Sequence, residues 1–301
     1  MSDDATIRRG FAYGALGVAM FALTLPMTRL AVGDRADPQL DPAFVTAGRA
    51  AVAGLLSAAW LAWWRVRPPA RRHWGALALS ALGTVLGFPL FLALALREVD
   101  AMHAAVVTGV LPLATALVGA LVLRQRPSAG FWACAVAGCA LVLAYAAWQG
   151  SGRLGAGDAW LLLAVLSAAG GYVAGARVSG ALPASQVICW VLVGSLPFTL
   201  PLALALLPGA AAAPLRAAAW LGFAYVSVFS MWLGFFAWYR GLALGGVVRV
   251  SQVQLVQPFL AVLAAAAILG EPLDGPTVLF LLAVIAVVVL GGRMPVHAPA
   301  P

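Results

Sequence analysis

Arg49 is a cation inside an otherwise apolar stretch, and a charge so placed is costly enough to mark a candidate functional site. Counting from Asp41 at about 1.5 Å per residue sets it about 12 Å along a helix, deep enough to face a protein interior or to snorkel outward. Its planar guanidinium suits bidentate capture of a carboxylate or phosphate. Pairing with helix-end carbonyls or a neighbouring acid is the competing structural role. A second concentration of polar groups is Ser251, Gln252, Gln254 and Gln257, just ahead of Pro258. Ser251, Gln254 and Pro258 share one helical face by i, i+3, i+7 spacing. The amides could bind a polar or zwitterionic ligand or hydrogen-bond between helices. Pro258 also frees the carbonyl four residues back, that of Gln254.

Thr108 and Pro112 repeat the Gln254/Pro258 spacing earlier in the chain, and a binding site is expected where the two pairs meet. Phe88, Tyr172, Trp190, Trp238 and Tyr239 are candidate walls for it. His103 could titrate or touch a ligand, although an interfacial histidine is the more ordinary role. Cys134, Cys139 and Cys189 lie in apolar stretches without metal-ligand spacing and read as small buried hydrophobes. No HExxH, GxSxG or intramembrane carboxylate pair supports an enzyme, and no Walker sequence supports ATP as energy source. Glu98 and Glu271 both fall at expected helix ends, away from the midplane position that a proton-coupled carrier usually needs. No metal or cofactor site is expected.

These residues must be positioned by membrane helices. The 301 residues are 63% hydrophobic and only 9% charged, more apolar side chain than a soluble core of this length could bury. A bilayer crossing takes about 20 apolar residues. The chain offers such stretches at 10–32, 42–64, 73–96, 101–123, 129–148, 158–178, 185–207, 217–240, 246–269 and 275–292. The first is longer than a signal-peptide core and reads as a retained span. Trp60, Trp63, Trp64 and Trp74 read as an interfacial belt.

The net charge of +8 argues for orientation rather than for nucleic acid, because the arginines cluster at the ends of apolar segments. An inside N-terminus gives the cytoplasm Arg8, Arg9, Arg65, Arg67, Arg71, Arg72, Arg124, Arg126, Arg177, Arg240, Arg249 and Arg293. The outside receives Arg29, Arg35, Arg97, Arg153 and Arg216. Both termini are thus expected in the cytoplasm of a cell with a bacterial-type inner membrane. The gly-rich stretch 149–158 suits a linker between halves 1–150 and 151–301. Laying Pro112 on Pro258 also lays Leu111-Pro112-Leu113 on Gln257-Pro258-Phe259 and Leu123-Arg124-Gln125 on Leu269-Gly270-Glu271. Five helices per half is odd, so the second half must run inverted, as in many secondary transporters. The spacings Gly83/Gly87, Gly171/Gly175 and Gly241/Gly245 would let helices pack closely.

The chain resembles the EamA-type permeases of the drug/metabolite transporter superfamily over nearly its whole length. The resemblance rests on Leu25-Pro26-Met27-Thr28-Arg29, Arg49, the 95–101 segment Ala-Leu-Arg-Glu-Val-Asp-Ala, Pro112, Tyr239-Arg240-Gly241-Leu242-Ala243, Pro258 and Gly270-Glu271-Pro272. The family usually closes both the fourth and ninth helices with Gly-Glu; here Arg124-Gln125 replaces the first pair. The resemblance implies an all-α fold of two inverted five-helix repeats and a central cavity lined by the third, fourth, eighth and ninth helices. It also implies export of small metabolites such as amino acids, by a monomer or homodimer in the lipid bilayer. Multidrug efflux, a channel and a membrane-embedded enzyme are the alternatives, in falling order.

Overall fold

A computed structural model describes residues 3–122, 126–149, 154–178, 181–207, 215–245, 250, 252–294 and 296–297. Among them, nine helices are long and apolar enough to cross a membrane and a tenth apolar helix is shorter. They are α1 (Ala5–Val32), α2 (Pro42–Trp63), α3 (Arg71–Ala95), α4 (Ala101–Val122) and α5 (Ala129–Gln149), then α6 (Ala156–Ala176), α7 (Ser185–Ala205), α8 (Ala217–Gly245), α9 (Val253–Leu269) and α10 (Gly275–Arg293). Of the ninth expected span, 246–269, the described part from Val253 onward is an apolar helix. One two-residue antiparallel pairing, Arg126–Pro127 with Val296–His297, joins the α4–α5 connection to the C-terminal tail. Pairing so short leaves no alternating pattern to read in a sequence.

The chain forms two inverted five-helix repeats, and helix packing obeys the exchange of each helix with its repeat mate. α1 packs on α8 as α6 packs on α3, and α1 on α9 as α6 on α4; α2/α7, α4/α9 and α5/α10 pack across the symmetry axis. Glycines permit the two closest crossings. A Cβ on Gly83 would lie 2.6 Å from the Cα of Gly171, and one on Gly10 would lie 2.5 Å from the Cα of Gly245. In a bilayer, where apolar helices gain little from leaving lipid, such backbone approach is a main source of packing energy.

Helices that surround the centre are broken there. α3 widens to a π-helix over Ala81–Gly87 just before Pro89, and α8 does so over Val226–Leu233 just before Gly234. α4 is interrupted at Gly109-Val110 ahead of Pro112, and α9 opens as a 3-10 turn, Gln252–Val256, ahead of Pro258. Each proline lacks an N–H and crowds the carbonyl four residues back, so the preceding turn must loosen. Within a membrane such backbone survives only where protein or a wet cavity satisfies it.

The α1–α2, α3–α4 and α9–α10 loops and the starts of α6 and α8 share one face, here the loop face; the start of α1 and the end of α10 lie on the other, the terminal face. On the loop face, Asp41 caps α2 through the N–H groups of Ala43 (2.8 Å) and Phe44 (3.1 Å), and Asp274 caps α10 through that of Thr277 (2.7 Å). Each carboxylate satisfies donors that a helix start otherwise leaves free.

Candidate functional site: a polar cavity around Arg49

The broken segments surround a cavity of about 470 Å³. Arg49, Thr108, Pro112, Tyr172, Trp238, Gln254, Gln257 and Pro258 all line it, so eight residues from five helices meet as side chains. Phe88 and Tyr239 line it as well. Ser251 lies outside the described residues. Trp190 does not reach the cavity: it sits on α7, which packs against α2, and its ring is edge-to-face with Trp74 at 6.0 Å. Of the expected belt, Trp63 and Trp64 do face outward, whereas Trp60 turns inward to stack edge-on against Phe236 at 5.2 Å.

Arg49 is 3% exposed. Its Nη2 donates to the Ser230 hydroxyl oxygen at 3.1 Å, and that oxygen lies 2.8 Å from the Thr24 hydroxyl. Nε and Nη1 are buried with no acceptor among the described residues. A guanidinium has five N–H donors in a fixed fork, so most of its hydrogen-bonding capacity points at nothing protein-borne. Thr24 and Ser230 were not singled out from sequence. The available signal was that a buried arginine needs acceptors, and α1 and α8 carry few polar side chains at its depth.

The threonines behave differently. Thr84, Thr108 and Thr115 donate to the carbonyls of Ser80, Ala104 and Leu111, at 2.8, 2.7 and 2.9 Å. Their protons are spent on their own helices, which leaves lone pairs for the cavity. The amides of Gln254 and Gln257 are engaged by no described side chain, and Gln254 is exposed. Pro112 and Tyr172 are exposed too, while Leu25, Leu92 and Ala105 close the other end of the cavity as buried residues. From its position along α4, α6 and α9, the exposed end lies toward the terminal face.

The loop face is laced shut. Arg29 on α1 donates to the carbonyls of Leu96 and, at 2.9 Å, Val99, and faces Asp34 at 3.5 Å and Asp100 at 3.6 Å. Arg97 reaches back to the carbonyls of Leu40 (3.0 Å) and Val32 (3.3 Å), while Arg35 pairs with Glu98. Glu271, between α9 and α10, caps α4 from the other repeat: its two oxygens accept from the N–H groups of Ala101 and Met102, each at 2.8 Å. His103, in the first turn of α4, is 5% exposed, its Nε2 2.7 Å from Asp158 at the start of α6. Asp158 also accepts from the N–H of Gly155 at 2.8 Å, so one carboxylate fixes its own helix start and ties α6 to α4.

Desolvation raises the Glu271 carboxyl above its usual range, outweighing the backbone N–H groups of Met102 and Ala101 that pull it down. A carboxyl that swings into water recovers its ordinary value, so the closed loop face binds the proton more readily than an open one. Closure is then favoured as pH falls through the raised value, and the gain levels off below about 4.3, the ordinary glutamate value. Exposure of the loop face should therefore decrease as the pH is lowered toward the ordinary glutamate value of about 4.3. Glu271→Gln, a neutral stand-in for the protonated carboxyl, should flatten that dependence and lower exposure at pH 7 toward the level wild type shows at low pH; an unchanged profile would remove Glu271 from the gate. Labelling of a cysteine placed at Val99 reads it.

The sequence matches the EamA-like transporter family over residues 8–146 and again over 155–291. It is 44% identical over 284 residues to the protein described as uncharacterized transporter YdeK of Bacillus subtilis (strain 168), covering 94% of this chain and 97% of that one. A solved structure described only as the crystal structure of a protein shares the fold at a TM-score of 0.57 and 19% identity, with 96% of each chain covered. A doubled family match on a ten-helix membrane fold with a central cavity makes the chain a member of the EamA-like transporter family.

Proposed function

We propose that the protein is a secondary transporter that exports small organic metabolites, amino acids among them, across the cell's inner membrane by alternating access. The observation that carries this reading is the central cavity itself: polar and aromatic residues from both repeats converge on a buried arginine whose Nε and Nη1 have no acceptor among the described residues. Arg49, Thr108, Pro112, Tyr172, Trp238, Gln254, Gln257 and Pro258 are its proposed substrate-binding residues, with Ser251 adjoining them in sequence. Halves 1–150 and 151–301 act as the two moving bodies, and the glycine crossings of α1/α8 and α3/α6 are the surfaces on which they rock. The arginine distribution supports cytoplasmic termini. The terminal face is then cytoplasmic, the cavity opens to the cytoplasm and the laced face is external, the arrangement from which an exporter loads.

Gln254→Cys in a variant without the three native cysteines tests the orientation. A membrane-impermeant maleimide should modify it about ten times faster in inside-out than in right-side-out vesicles. Equal rates, or the reverse, would overturn the assignment of sides. Efflux of larger apolar compounds is a second reading, favoured by the rings of Phe21, Phe235 and Trp238 in the cavity wall. It differs in requiring nothing of Arg49.

A further inference from the structure

We propose that the cavity selects organic monoanions with an apolar, preferably aromatic, body and no ammonium group, ranking amine-free carboxylates above the matching amino acids and amines last. This deepens the transporter reading and rests on it only for the direction of use, since the selection is a property of binding.

Charge placement comes first. The chain has ten Asp and Glu residues. Two stand at its N-terminus; the other eight, Asp34, Asp37, Asp41, Glu98, Asp100, Asp158, Glu271 and Asp274, lie in the loops or first helical turns of the loop face. None lines the cavity, and neither does a histidine, so among its described lining residues Arg49 is the one formal charge. A buried cation without counter-charge is a strained arrangement in a low-dielectric site, and an anion is what relieves it. An ammonium entering the same space would meet a like charge and no carboxylate.

The neutral groups then divide the cavity into a head and a body. Around Arg49, the Ser230 and Thr24 hydroxyls share one hydrogen bond, which leaves the pair one proton to turn toward an anion drawn to the guanidinium. Beyond them the walls are rings: Phe21 meets Phe235 edge-on at 5.0 Å, and Phe235 meets Tyr239 at 5.9 Å. Aromatic faces could offset part of the cost of an ammonium, but they leave Arg49 uncompensated; a carboxylate neutralises it. At the exposed end, the Gln254 and Gln257 amides suit a neutral hydroxyl or carbonyl on the far end of the ligand.

Four probes of similar size separate the charges: 3-phenylpropionate, phenylalanine, 3-phenylpropanol and 2-phenylethylamine. Their binding to the purified full chain in nanodiscs is read by tryptophan fluorescence, for which Trp238 is in place. The expected order is phenylpropionate at least about tenfold tighter than phenylalanine or the alcohol, with the amine weakest. Arg49→Gln should bring phenylpropionate down to the level of the alcohol, and an unfolding temperature equal to that of wild type shows that the variant is folded. Gln254→Glu, which adds a carboxylate to the cavity, should strengthen the amine. Phenylalanine or phenylethylamine equal to or tighter than phenylpropionate, a preference that survives Arg49→Gln, or no binding by any of the four would overturn the inference. If the binding order holds but proteoliposomes exchange none of the probes, the transport reading fails and the selectivity stands.

Discussion

Replacing Arg49 with alanine is expected to reduce exchange of a carboxylate substrate by about 100-fold while leaving the protein as stable as before or more so. The two effects separate because the side chain makes one hydrogen bond to the described residues, to Ser230, and leaves Nε and Nη1 without an acceptor among them. Deleting it removes a desolvated charge and leaves the Ser230–Thr24 hydrogen bond at 2.8 Å in place. Replacing buried ionic groups with apolar ones of similar volume is often neutral or stabilising, and here the volume lost with the side chain adds to a cavity that is already present. A bound carboxylate, by contrast, loses charge-assisted hydrogen bonds, and a loss of about 3 kcal/mol corresponds to roughly two orders of magnitude in affinity. Unfolding temperature and exchange rate measured on one preparation check both halves. A variant that unfolds readily would make Arg49 a structural residue.

The largest expected effect on stability comes from one methyl group. Gly171→Ala should destabilise the protein by about 3 kcal/mol, because the new Cβ would lie 2.7 Å from the Thr84 methyl, 2.8 Å from the Thr84 backbone nitrogen and 3.0 Å from the Gly83 Cα. Two of those atoms are backbone, so α3 and α6 must move apart for it to fit. The preceding residue is the control: a Cβ on Gly170 meets nothing within 4 Å, so Gly170→Ala should stabilise by about 0.5–1 kcal/mol through the greater helix propensity of alanine. Thermal unfolding of the two variants, one residue apart, reads the difference. Equal stabilities would mean that α3 and α6 are not packed backbone to backbone.

What could be read in the sequence was whatever breaks an apolar pattern. Arg49, Gln254 and Gln257 are polar groups in membrane stretches, and Pro112 and Pro258 interrupt helices at matching places, so their meeting in one cavity follows from the two-repeat fold. Thr24 and Ser230 escaped notice because a hydroxyl in a membrane helix usually bonds its own backbone, as Thr108 does to Ala104, and nothing local distinguishes the exceptions. Trp190 carried the right residue type on the wrong helix: α7 faces α2, and an aromatic there fills core. The Glu271 cap on α4 joins groups 170 residues apart, and the His103–Asp158 pair joins groups 55 apart. Neither leaves a mark on its own segment, where a glutamate after a helix and an aspartate in a first turn look like ordinary end residues. The π-helical stretches of α3 and α8 are likewise invisible in composition, since a wide turn uses the same apolar residues as a regular one.

The most direct test of transport through this cavity is counter-flow in proteoliposomes loaded with unlabelled 3-phenylpropionate or phenylalanine and diluted into the labelled compound. Wild-type protein should accumulate label transiently above the protein-free rate, faster for phenylpropionate, and Arg49→Ala should not. Accumulation that Arg49→Ala leaves intact would contradict a site built on Arg49, and no accumulation of either compound by folded wild-type protein would contradict the proposed carrier.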